Sequence, residues 1–250
     1  MKDPNKKSKK GWIIGFSITG VLSLLVGGFF IYTSIYYHAE DAAYSYEKSD
    51  EYVTFQKVND LGLSFDAKNK KSENIFLFYP GAKVQSDAYA PLMYELAKDG
   101  VSSFLFEAPF HLQFFDINQA LKAYPLYPES ASFVMGGHSL GGAIMPKFVQ
   151  SHPERIKGMA FLASYTVDDF SSSDLSTISI YGENDHVMKK NRYEDCKKNL
   201  PAKSEEHIIK GGNHGGFAKY GHQSGDGELL AYTQIEETAS LLASFVISLA

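Results

Sequence analysis

Hydrophobic positions along the chain follow two different regimes. In residues 12–32 (WIIGFSITGVLSLLVGGFFIY) apolar side chains crowd together, and no charged residue occurs anywhere in 11–37. As a helix this run spans ~30 Å, the thickness of a bilayer's hydrocarbon core. It also lacks the polar face that a helix packed on a protein surface would turn to water. Residues 38–50 (HAEDAAYSYEKSD) are polar and read as a short tether. Residues 52–58 and 61–66 alternate about Asn59-Asp60, the pattern of two short strands joined by a turn. From Asn74 onward, short apolar runs alternate with stretches of helical periodicity. The runs predict strands over 75–79, 101–106, 132–135, 156–162, 178–181 and 207–209, and helices over 89–97, 116–124, 140–150, 191–199 and 229–248. Such sustained alternation predicts an α/β class with an open, doubly wound, mostly parallel sheet.

Charge then orients the chain. Five of its 24 basic residues (Lys2, Lys6, Lys7, Lys9 and Lys10) and one of its 29 acidic residues (Asp3) precede residue 38, so the remainder keeps 19 basic against 28 acidic residues. Lysines before the apolar run, with Glu40 and Asp41 after it, place the amino terminus on the cytoplasmic side. Trp12 at one end and Tyr32, Tyr36 and Tyr37 at the other fit the two interfacial belts. A cleaved signal peptide would carry a shorter apolar region and a small-residue cleavage site, whereas this run exits through Tyr36-Tyr37-His38. The expected organisation is therefore a cytoplasmic basic tail over 1–10, a single transmembrane anchor over 11–37, the tether over 38–50, and one catalytic-sized domain over 51–250 on the extracytoplasmic side. The lipid bilayer is the partner expected for 11–37. An acidic domain repels phosphate backbones, which excludes nucleic acid as a partner. The single cysteine, Cys196, cannot form an intramolecular disulfide or a cysteine-based zinc site.

Chemistry concentrates at the ends of the predicted strands. Gly137-His138-Ser139-Leu140-Gly141 matches G-x-S-x-G, follows a strand and opens a helix, which is the sharp turn that lifts a serine hydroxyl above a sheet edge. A serine needs a base to take its proton and an acid to orient that base. Gly182-Glu183-Asn184-Asp185 follows the 178–181 strand and offers Asp185 as the acid, with Glu183 as its rival. Among eight histidines, His214 in Gly211-Gly212-Asn213-His214-Gly215-Gly216 lies just past the last predicted strand and is the chosen base, with His222 next in line. Two backbone N–H groups must face the developing oxyanion. Leu140, after the nucleophile, supplies one, and Ala82 in Tyr79-Pro80-Gly81-Ala82-Lys83 supplies the other, since Pro80 has no N–H.

These motifs carry a family resemblance. Through Tyr79-Pro80-Gly81-Ala82-Lys83-Val84, Gly137-His138-Ser139-Leu140-Gly141-Gly142, Gly182-Glu183-Asn184-Asp185 and Gly211-Gly212-Asn213-His214, the chain from about residue 73 to 250 resembles the α/β-hydrolase superfamily. Within it the chain is similar to the compact bacterial α/β-hydrolase family 5, relatives of dienelactone-hydrolase-like proteins. The resemblance implies a Ser139–Asp185–His214 triad. Dienelactone hydrolases proper use a cysteine nucleophile, so Ser139 argues against that activity.

The resulting expectation is a serine hydrolase that cleaves small-molecule carboxylic esters through an acyl-enzyme and calls for no organic cofactor or metal. The rival classes are an acyltransferase acting on a cell-envelope acceptor and a catalytically silent surface binding module. Lys83 is expected beside Glu107, either as a surface ion pair or as a receiver for a substrate anion. Pro146 is expected to kink the helix after the nucleophile. Residues 163–177, with Asp168, Asp169, Asp174 and the serines 171–173, are too polar to form an apolar lid. The site is therefore expected to be open and suited to short or water-soluble esters.

Overall fold

The structure is a computed structural model that describes the backbone of residues 9–249 and the side chains of residues 20–249. The chain divides after Tyr36 into two compact units. Among its described residues the first holds the helix α1 (Lys9–Ser34). Most of its described apolar side chains are exposed, among them Val21, Leu22, Leu24, Leu25, Phe30 and Ile31. Among the described residues no helix is long and apolar enough to cross a membrane. The basic tail and the start of the expected anchor lie outside the residues whose side chains are described.

The second unit is built on an eight-stranded sheet in the order β1-β2-β4-β3-β5-β6-β7-β8. Its strands are β1 (Val53–Val58), β2 (Gly62–Ala67), β3 (Ile75–Tyr79), β4 (Ser103–Phe106), β5 (Phe133–His138), β6 (Ile156–Leu162), β7 (Ser176–Gly182) and β8 (Lys203–Ile209). The β1–β2 and β2–β4 pairs are antiparallel and all the others are parallel. The period-two geometry of a strand sends alternate side chains to opposite faces. Phe76 and Phe78 accordingly join one core with Leu92, Leu96, Leu242 and Val246. Those aliphatic residues come from α3 (Ala90–Lys98) and α6 (Gln234–Ser248). Leu77 and Tyr79 join the opposite core with Met145, Phe148 and Val149 of α4 (Leu140–Ser151). With both faces covered, β3 is buried along its whole length, which is why it reads as an unbroken apolar run. After β3 the chain steps one way, to β4, and after β5 it steps the other way, to β6, β7 and β8. The order reverses between β3 and β5, and the crevice at the carboxyl ends of the strands opens there.

Several expected elements differ, each for a physical reason. The helix expected over 116–124 is instead a run of short 3₁₀ turns. The Tyr79 hydroxyl donates to the Ile117 carbonyl at 2.7 Å and accepts from the Ala120 N–H at 3.1 Å, so these backbone groups are bonded to a side chain of the core. The final helix begins at Gln234 rather than 229, because the N–H groups of Leu230 and Ala231 both donate to the Gly211 carbonyl. β8 extends well before 207: its first residues are exposed on an edge strand, and their polar side chains hide it from a hydrophobic pattern. The expected helix over 191–199 appears as α5 (Lys190–Cys196) followed by a 3₁₀ turn.

The segment expected to be a short tether over 38–50, together with Tyr37 at the end of the expected anchor, is laid on the domain. Tyr37 N–H donates to the Lys83 carbonyl at 2.7 Å, and Gln85 N–H donates back to the Tyr37 carbonyl at 2.9 Å. Glu40 N–H reaches the Lys219 carbonyl, and Ala43, in the short helix α2 (Asp41–Tyr44), is fully buried. Burial, and next the hydrogen bond and charge of Asp87, push the carboxyl of Glu47 up to about 7, with Lys57 opposing them weakly. A carboxyl with a raised pKa stabilises the fold fully below the ordinary glutamate range, and that contribution is lost as the pH climbs through about 7. Glu47→Gln should therefore flatten the fall in melting temperature that the wild type shows between about pH 4 and about pH 8. An unchanged pH profile in thermal denaturation would contradict this placement of Glu47.

Candidate active site

Ser139 sits between the end of β5 and the start of α4 with φ 51° and ψ −119°, a region a side chain enters only under strain of roughly 1–3 kcal/mol. Close packing of glycines enforces it. A Cβ on Gly141 would lie 2.3 Å from the carbonyl oxygens of Tyr79 and Pro80, and one on Gly137 would lie 2.5 Å from the Gly142 nitrogen. The start of α4 thus lies directly against the loop that follows β3. The turn is tied to β6 and its loop as well: Ser139 N–H donates to the Leu162 carbonyl at 2.9 Å, and the Ser164 hydroxyl donates to the Ser139 carbonyl at 2.7 Å. α4 runs on through Pro146 as one helix.

Asp185, after β7, and His214, after β8, are each 1% exposed. One carboxylate oxygen of Asp185 accepts the N–H groups of Val187 and Met188 at 2.9 and 2.8 Å. The other lies 2.9 Å from His214 Nδ1. Burial raises the pKa of Asp185, but the bond from His214 and the two backbone N–H groups outweigh it and hold the carboxyl below the usual carboxylate range. An acceptor-only carboxylate requires the proton on Nδ1, which leaves Nε2 of a neutral His214 as the acceptor. That Nε2 is buried and has no hydrogen-bond partner among the described residues. His214 and Ser139 line one cavity of about 310 Å³, together with Leu140, Ala143, Tyr165 and Met188.

The other candidates separate clearly. Glu183 is exposed and accepts from Gly211 N–H, while His222 lines a different cavity beside Glu40 and Lys219. The Leu140 N–H heads the first turn of α4, where no intrahelical acceptor is available to it. Ala82 follows Gly81, whose Cα faces the His138 ring closely enough that a Cβ there would lie 2.8 Å from His138 Nδ1. Lys83, at φ 56°, donates its N–H to the His111 carbonyl, and the carboxylate of Glu107 lies 4.0 Å from His111 Nδ1. Neither Lys83 nor Glu107 lines the cavity that holds Ser139 and His214. Sequence reasoning missed Asp226, which accepts the N–H groups of His214 and Gly215 at 3.1 and 2.8 Å, and Gln234, which accepts from Asn213 N–H and donates back to its carbonyl. The one signal for Asp226 was its setting between Gly225 and Gly227; Gln234 is a polar residue fully buried at the start of α6.

The fold has many relatives. A dienelactone hydrolase from Anabaena variabilis superposes with a TM-score of 0.56 at 15% identity, covering 80% of this chain and 97% of that one. A predicted CIB-like hydrolase from Thermoplasma acidophilum gives 0.55 at 15% identity, covering 78% and 97%. A carboxylesterase from Bacillus subtilis gives 0.54 at 12% identity, covering 82% and 95%. No curated protein sequence matches the chain. The model of the alpha/beta hydrolase family matches residues 75–237, which span the β3 loop, the serine turn, Asp185 and His214. The chain belongs to the alpha/beta hydrolase family.

Proposed function

We propose that this chain is a serine hydrolase that cleaves small or water-soluble carboxylic esters through an acyl-enzyme. In this reading residues 11–37 anchor it in the cell membrane and the catalytic domain lies on the extracytoplasmic side. The observation that carries the proposal is the imidazole of His214, bonded through Nδ1 to Asp185 and open only at Nε2, in a cavity shared with Ser139. Nε2 takes the serine proton as Oγ attacks the ester carbonyl, and the Asp185 carboxylate stabilises the imidazolium that forms. The N–H groups of Ala82 and Leu140 receive the charge that develops on the carbonyl oxygen. The imidazolium protonates the departing alcohol, and the same base then activates water to release the acid from Ser139. The ester chemistry of relatives such as the Bacillus subtilis carboxylesterase fits this reading. For the anchor, the support is the charge asymmetry about 11–37 and a helix most of whose described apolar side chains are exposed.

Ser139→Ala should abolish turnover and labelling by a fluorophosphonate without unfolding the domain. Asp185→Asn should lower kcat by orders of magnitude, about 10⁴ if it behaves as in serine proteases. Retention of activity in Ser139→Ala would exclude this serine as the nucleophile.

No helix or strand occurs between β6 and β7. The intervening segment is tied down by polar contacts such as Lys147–Asp168 at 3.3 Å and Phe170 N–H to the Asn199 carbonyl. That segment therefore adds no helical lid to the apolar lining that Leu140, Ala143 and Met188 give the cavity, so a long acyl chain finds little further surface on which to gain ~0.8 kcal/mol per CH₂. Across aryl esters from about two to about sixteen acyl carbons, kcat/KM should not rise steadily beyond about eight. A steady rise would reveal a buried acyl channel, with the exposed cluster of Phe110, Phe114 and Phe115 the first place to look.

External protease on intact cells should remove the catalytic domain while sparing the lysine-rich tail. Digestion that requires lysis would overturn the assigned orientation.

A further inference from the structure

One buried titratable side chain has no part in the chemistry above. His138, immediately before the nucleophile, is 1% exposed. Its ring is packed among those of Tyr89, His214 and Phe217, with centroids at 5.7, 4.7 and 5.4 Å. Nε2 lies 3.0 Å from the His214 carbonyl oxygen, which can only accept, so the ring proton is on Nε2. Nδ1 must then accept, and the Tyr89 hydroxyl, fully buried, donates to it at 2.7 Å. The same hydroxyl accepts the Gly81 N–H at 3.1 Å. Burial, followed by the nearness of His214, holds the pKa of His138 well below the ordinary imidazole range, which agrees with a neutral ring that has one donor and one acceptor.

We propose that Tyr89 and His138 form a buried hydrogen-bonded relay that fixes the oxyanion loop and the base loop against the nucleophile, making both of them positioning residues of the reaction. The inference rests on the hydrolase reading given above. One end of the relay holds Gly81, the residue before Ala82. The other end holds the main chain of the base itself. His214 has its N–H held by Asp226 at 3.1 Å, its carbonyl held by His138 at 3.0 Å and its Nδ1 held by Asp185 at 2.9 Å. Every polar atom of His214 except Nε2 is thereby committed. Gly81 also leaves the space the relay occupies, since a Cβ there would lie 2.8 Å from His138 Nδ1 and 2.9 Å from the Tyr89 hydroxyl. Through these bonds the ring joins two separate loops, that of His214 directly at Nε2 and that of Gly81 through the Tyr89 hydroxyl at Nδ1.

The test uses the full chain in detergent, a soluble aryl acetate, and kcat counted per site labelled to completion with a fluorophosphonate, so that unfolded protein is not scored. Displacing a reacting group by about 1 Å can cost about 10² in rate. On that scale Tyr89→Phe should lower kcat about tenfold and His138→Leu about a hundredfold, each with KM within about twofold of wild type. His138→Gln keeps an amide N–H for the His214 carbonyl and should recover about tenfold of the loss in His138→Leu. Wild-type kcat in Tyr89→Phe, a loss confined to KM, or no difference between the leucine and glutamine variants would overturn the relay. Should His138→Leu fail to fold, Tyr89→Phe decides alone. A wild-type chain that neither labels nor turns over would instead refute the hydrolase reading, and the relay's role in catalysis would fall with it.

Discussion

The geometry of the site depends on how closely α4 approaches the loop after β3. Only a residue without a side chain fits at 141, where the carbonyl oxygens of Tyr79 and Pro80 stand 2.3 Å from the place a Cβ would take. That approach sets the start of α4 against the sheet, forces the backbone of Ser139 to φ 51°, and brings the peptide groups of the β3 loop beside His138. Strain of this kind persists only where its surroundings over-determine it. Here they include the bonds from Ser139 N–H to β6 and from the Ser164 hydroxyl to the Ser139 carbonyl. Two buried cores, one on each face of the sheet, keep the strands beneath from yielding.

Electrostatics works in the same sense. Asp185 is almost fully buried, which by itself would favour the protonated form. Two backbone N–H groups and the His214 imidazole supply enough donors to keep it charged. A buried carboxylate with its acceptor sites filled holds its partner imidazole in one tautomer and one orientation. The same logic extends outward from His214: Asp226 fixes its N–H, and Gln234 fixes both backbone groups of the preceding Asn213. The loop after β8 is rich in glycine, and these bonds, together with the buried rings of Phe217 and Tyr220, set its shape.

The segment over 37–50 adds a constraint from outside the sheet. It pairs with Lys83 and Gln85 after β3 and with Lys219 after β8, and the Tyr37 hydroxyl accepts the N–H of Ser224. Tyr37 also packs its ring on Tyr220 at 5.4 Å. The stretch is polar in composition because its outer side faces water. Its inner side is specified by only a few residues, chiefly Tyr37, Ala43 and Tyr46.

Sequence alone determined the order of strands and helices from residue 75, the turn containing Ser139, and the positions of Asp185 and His214 after successive strands. Each of these is a local property: a buried parallel strand must be apolar throughout, and a strand-to-helix turn this tight must be made of glycine. The tertiary structure puts His214, the histidine preferred over His222 from the sequence, 2.9 Å from Asp185. It alone decided that 116–124 forms 3₁₀ turns, that β8 continues through polar residues, and that 38–50 packs on the domain. The supporting residues Tyr89, His138, Asp226 and Gln234 were equally hidden. Their partners are far away along the chain, 49 residues from Tyr89 to His138 and 76 from His138 to His214. A hydrogen bond across such a separation leaves no periodicity in the sequence. Its cause is the requirement that every buried polar group find a partner, which operates only once the chain has folded.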